Sequence, residues 1–149
     1  MPEAAITQVE DRVKTILQAY VPLAGQNVIV AESLDIALDE TMLPAIIITT
    51  SSYSVDVADE HWSSIHTMTL EVEAVNELPS TGTISRTNRQ TLAHVNAAIA
   101  VDRSLGIKVH DIQEQDMSPT EPRGKDVDSA SLQYQVQFFT SRSDWFTIV

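Results

Sequence analysis

Leu132, Tyr134, Val136 and Phe138 alternate with Gln133, Gln135 and Gln137. Successive side chains of a strand point to opposite faces, so this stretch predicts a strand with one apolar and one amide side. A second alternating stretch begins at Trp62. It sets Met68, Leu70, Val72 and Ala74 on one face and Thr67, Thr69, Glu71 and Glu73 on the other. Two stretches follow helical spacing instead. Ile6, Val9, Val13, Ile16, Leu17 and Tyr20 form the first, with Glu3, Glu10 and Asp11 early, where the helix dipole favours acids. Pro22 and Gly25 are its stop signals. The second runs from about Thr83 to Val101, with Ile84, Leu92, Val95, Ala98 and Ile99 inward and Arg86 and Arg89 outward.

Shorter signals fill in the rest. NVIVA (27–31) and PAIIITT (44–50) read as apolar strands, the second entered through a proline. The acidic stretch from Glu32 to Leu43 has no period, and Asp56 to His61 reads as a loop or hairpin connection. Pro79, Ser80 and Gly82 break the chain before the second helix. Asp102 to Gly106 ends that helix, with Gly106 expected in a left-handed conformation. Ile107 to Gln113 is read as a strand. MSPTEPRGKDVDS (117–129), with two prolines and a glycine among charges, is expected to be a long exposed loop. On the last strand, Arg142 and Asp144 are two apart and would point the same way, with Trp145 opposite. The element order predicts an α+β fold: two main helices packed on a mixed, mostly antiparallel sheet.

Composition narrows the class. At 149 residues with 43% hydrophobic content, the chain suits a single domain spanning 1–149. Its longest apolar runs, such as Pro44 to Ile48, are too short to span a bilayer, and MPEAAITQVEDRV lacks the basic-then-apolar form of a secretion signal. Absence of cysteine excludes disulfides and thiolate chemistry. The formal net charge of −12 argues against grip on nucleic acid, because such binding rests on basic groups neutralising phosphates.

Candidate chemistry is sparse. His61 and His66 are five apart, an odd spacing that points them to opposite faces of one strand, and His94 and His110 lie on other elements. Asp56, Asp59 and Glu60 near His61 suit a solvated loop as well as a metal. Ser51, Ser52, Ser63 and Ser64 stand in no G-x-S-x-G elbow, and the four glycines form no phosphate-binding loop. The expectation is therefore a protein that is not an enzyme, with no catalytic, cofactor or metal site.

Several stretches taken in order resemble the bacteriophage tail terminator proteins of the lambda type. They are WSSIHTMTLEVEAV (62–75), the helix leading into AVDRSLGIKVHDI (100–112), and LQYQVQFFTSRSDW (132–145). The most telling pieces are the D-R-S-L-G turn at Asp102 to Gly106 and the T-S-R-S-D-W segment at Thr140 to Trp145. Relatives often carry a second glycine after the turn; here Ile107 stands in its place. The resemblance covers the C-terminal two-thirds. It implies a homo-hexameric ring in the tail or neck of a virion, assembled in the host cytoplasm. The ring would cap the tail-tube protein, end its polymerisation and offer a joint to the head–tail connector proteins. DNA would pass through the lumen without specific binding, with no membrane and no cofactor involved. Within that picture Gln133, Gln135, Gln137, Arg142, Asp144 and Trp145 are candidates for a subunit or tube interface, and Asp102 and Gly106 for a structural turn. Another neck or tail-completion protein, or a small hydrolase or ligand-binding domain, stays open as an alternative.

Overall fold

The computed structural model describes residues 3–32, 38–57, 63–77, 83–124 and 126–149. The elements in chain order are α1 (Ala5–Ala19), β1 (Asn27–Val30), β2 (Ala45–Val57), β3 (Ser63–Glu77), α2 (Ile84–Ala100), β4 (Asp111–Gly124), β5 (Val127–Ser141) and β6 (Asp144–Ile148). Expectations placed on 33–37 and on Asp59, Glu60, His61, Trp62, Pro79, Ser80, Gly82 and Lys125 fall outside the described residues. The strands form one sheet in the order β1-β2-β3-β5-β4, with β6 added alongside β5. β1 pairs parallel to β2 and every other pair is antiparallel, so the predicted mixed α+β architecture holds.

The alternation read from the sequence decides which face is core. Met68, Leu70, Val72 and Ala74 of β3 and Leu132, Tyr134, Val136 and Phe138 of β5 are all buried on one face, in register across the two strands. Val9, Val13 and Leu17 of α1 and Leu92, Val95, Ala98 and Ile99 of α2 close over that face, forming one cluster with it. Helix spacing and strand spacing thus deliver two apolar surfaces that bury each other, the dominant favourable term in folding. Thr83 caps α2 by accepting the backbone N–H of Arg86 at 3.2 Å. Glu10 of α1 accepts from Thr50 Oγ of β2 at 3.0 Å, tying helix to sheet; partial burial raises its pKa.

Four boundaries differ from the sequence reading. β2 runs on through Asp56 to Val57, because β3 supplies backbone partners along its whole length after a bulge at Ser51. The strand expected from Ile107 starts at Asp111, since Leu105, Gly106 and Lys108 take φ values of 54, 70 and 63°, which no extended chain allows. The described part of 117–129 is no free loop: 117–124 and 127–129 form the distal arms of β4 and β5. Its prolines are tolerated because β4 is an edge strand whose register shifts at Glu114/Asp116, Ser118/Glu121 and Pro122/Gly124. Finally, the chain does not continue straight past Ser141. It turns at Arg142 and Ser143 and folds back as β6.

The fold separates costly positions from cheap ones. Leu70→Ala, at a fully buried site, is expected to lower the unfolding free energy by about 2 to 5 kcal/mol through lost contacts and a cavity. Met117→Ala, exposed on the edge strand, is expected to change it by less than about 0.5 kcal/mol. Urea unfolding of the two variants checks this, and equal losses at both sites would contradict the burial pattern.

Candidate assembly surface

The glutamines predicted to share one side do so. Gln133, Gln135 and Gln137 lie on the face of the sheet opposite the helices, each partly exposed. Their cross-strand neighbours are Glu71, Thr69 and Thr67 on β3 and Asp116, Gln113 and Asp111 on β4. Gln133 donates to Glu71, Gln137 donates to Thr67 Oγ at 3.5 Å, and Gln113 donates to Asp111 at 2.6 Å. Ser52 and Ser54 extend the same polar surface onto β2. Toward its far end Ala45, Ile47 and Val75 are buried, so the open part is the region of the glutamines.

Arg142, Asp144 and Trp145 are not part of that surface. Because the chain reverses at 142–143, Arg142 sits exposed in the turn and Asp144 opens β6. The Asp144 carboxylate accepts the backbone N–H of Phe146 at 2.8 Å, and that bond lowers its pKa. Trp145 lies over the helix side of the sheet, its ring edge-on to His66 with centroids 5.1 Å apart. It remains 45% exposed and Phe146 49% exposed, so the hairpin carries an aromatic rim. Gln8 of α1 donates to the Phe146 carbonyl at 2.5 Å, and Val149 N–H donates to Phe139 O at 2.9 Å, which fasten β6 to the body.

His66 is a residue whose role the sequence reading missed. It stands at the buried parity of β3, in step with Met68 and Leu70, so strand alternation alone could have placed it inside. Its ring stacks on Phe138 at 4.7 Å and 7° between planes. Thr140 Oγ donates to the Ser141 carbonyl at 3.0 Å, so toward His66 Nε2, 2.8 Å away, it acts as acceptor. The imidazole proton therefore sits on Nε2, and Nδ1 accepts the Tyr53 hydroxyl. Burial lowers the His66 pKa and raises that of Tyr53, so both stay neutral near pH 7. This line of polar groups stitches β2, β3 and β5 together. His94 contacts Tyr20, and His110 sits edge-on to Phe139. Among the described residues no three His, Asp or Glu side chains converge on a point where a metal could sit.

The turn predicted at Asp102 to Gly106 is present and is a junction. The Asp102 carboxylate accepts from Ser104 N–H at 3.0 Å and Ser104 Oγ at 2.6 Å, bonds that lower its pKa. Arg12 of α1 donates to Leu105 O at 2.6 Å. Arg103 donates to Ile112 O at 2.7 Å and pairs with Glu114 at 2.8 Å. The loop thereby locks α1, α2 and β4 to one another. Gly106 has φ +70°, and a Cβ there would stand 3.0 Å from the Arg12 guanidinium.

The molecule is an α+β domain in which two helices cover one side of a curled six-stranded sheet and β6 carries an aromatic rim. No family model matches the chain, and no curated protein matches it. Among solved structures, a chain of the "Virion of native gene transfer agent (GTA) particle" has a similar fold. Its TM-score is 0.51 at 13% identity, over 91% of this chain and 98% of that one. At such low identity the likeness speaks for the fold.

Two outcomes are expected from these sites. His66 has a lowered folded pKa, so its contribution to stability is complete above the ordinary value of 6.5 and is lost as pH falls through the lower folded value. The stability advantage of the wild type over His66→Gln should therefore shrink between about pH 7.5 and pH 5. Denaturant titrations at a series of pH values measure it, and a constant difference would contradict it. Gly106→Ala should cost about 1 kcal/mol, because an L-residue is strained at that φ. Calorimetry should then show a melting temperature lower by about 2 to 4 °C.

Proposed function

We propose that this protein is a structural component of a phage-like virion, and that its place there is the tail terminator. Copies of it form a ring on the finished tail tube, prevent further addition of tube subunits and present a surface to the head–tail connector. The observation that carries this reading is the fold shared, over nearly its whole length, with a chain of a gene transfer agent virion. The ordered resemblance of 62–75, 100–112 and 132–145 to tail terminator proteins supports the finer assignment. The work is assembly, and no catalytic step belongs to it.

The chemistry of the surfaces agrees. The sheet exposes amides, hydroxyls and carboxylates, groups suited to polar contacts between subunits. The exposed Trp145 and Phe146 have the character of an anchor for another virion component, since buried aromatics dominate interface energetics. A chain of net charge −12 does not grip phosphates, so DNA would pass through a ring of it freely.

A particle lacking this gene tests the reading by complementation. Wild-type protein should restore tails of uniform length, and its absence should give overlong tubes under the electron microscope. Trp145→Ala should fold, as judged by circular dichroism, yet restore capping poorly; interface truncations of this kind commonly cost about 2 kcal/mol or more. Tails of normal length without the protein would refute the terminator role. Normal tails that fail to join heads would favour a neck-joining role instead.

A further inference from the structure

Charge differs between the strands and α2, while α1 carries both signs (Glu10 and Asp11, Arg12 and Lys14). The strands are rich in acids, and Arg123 is the one Lys or Arg in the sequence of the six. α2 is the reverse: Ile84–Ala100 holds no Asp or Glu and carries Arg86 and Arg89, both exposed. The chain's net charge is −12, so an acid-free helix of this length stands out from its own background.

The two sets of charge also face away from each other. α1 and α2 cover the same side of the sheet, which leaves the glutamine side open. The outward stripe of α2 continues from Arg86 and Arg89 through Ala93, Ala97 and Ala100, all exposed. Small side chains there let another surface come close to the helix. On the opposite side of the molecule, Asp111, Asp116 and Glu71 lie among the glutamines on adjacent strands.

This arrangement discriminates between modes of self-association. A two-fold pairing of sheet faces would set acids against acids, and a two-fold pairing of α2 faces would set arginines against arginines. Head-to-tail contact brings opposite signs together, and repeated contacts of that kind close into a ring when the rotation permits. We propose that copies of this chain associate head to tail, with the Arg86/Arg89 face of α2 seated on the Asp111/Asp116/Glu71 face of the next copy. The proposal rests on the ring reading above and adds which faces meet. It leaves the rim of Trp145 and Phe146 free for another component.

Charge reversal tests it. Arg86→Glu with Arg89→Glu gives a protein acidic on both faces; glutamates in the first turns of α2 are favoured by the helix dipole, so the fold should hold. Asp111→Lys with Asp116→Lys gives one basic on both faces. Wild type should sediment as a ring-sized oligomer that weakens with added salt. Each double variant alone should associate more weakly by roughly tenfold or more. An equimolar mixture of the two should recover assembly, because every contact then joins opposite signs. A chain carrying all four substitutions should recover it as well. Double variants that assemble like wild type would overturn the assignment and leave the ring reading standing. So would double variants whose assembly neither the mixture nor the fourfold variant restores, and so would Arg86→Glu/Arg89→Glu rings that form normally yet fail to cap tubes. Wild type that stays monomeric at all concentrations and forms no rings on tubes would sink both.

Discussion

The rest of the structure depends on the strict alternation of β5. Its even-numbered residues from Ala130 to Thr140 are buried, while the odd ones from Ser131 to Ser141 remain partly open. β3 and β4 pair along its two edges, and β6 folds back onto its end. A slip of one residue would exchange the two faces, driving Gln133, Gln135 and Gln137 under the helices and Tyr134 and Phe138 into water. Buried amides without partners are costly, so the register of β5 is fixed by both faces at once. β3 then inherits its register from β5, and β2 from β3.

A polar line of Tyr53, His66 and Thr140 crosses three strands, with Phe138 beneath the imidazole and Trp145 at its edge. A neutral histidine with both nitrogens satisfied is an inexpensive way to fill a site between aromatic rings and hydroxyls. β6 rests on this line, which explains why its aromatic side chains are presented at the molecule's end. The Asp102–Gly106 turn has the corresponding role at the helix side, where Arg12 and Arg103 hold the loop to α1 and β4.

The surfaces agree with the functional reading that the shared fold carries. Polar strands on one side, an acid-free helix on the other and an aromatic rim at the end give a subunit three chemically different contacts. Such a subunit suits the proposed ring, in which neighbours meet through two of them and another component through the third. A ring needs directional contact surfaces, and in the proposed assembly the charge of each surface would set its direction.

The strands around Leu70 and Leu132 and both helices were legible in the sequence, because each buries one face and its period therefore shows. The same holds for Gly106, where the turn requires a residue that tolerates positive φ. The 117–129 segment was not legible: prolines and charges signal a loop locally, yet an edge strand with bulges accepts both. The fold-back at Arg142 was hidden as well, since strand periodicity says nothing of when a strand ends. That Trp145 meets His66, and that the candidate residues divide between two sides of the sheet, was decided by that reversal. Periodicity is a local property and survives in one dimension; which strand edges remain unpaired, and which residues share a surface, is set only when distant segments pair.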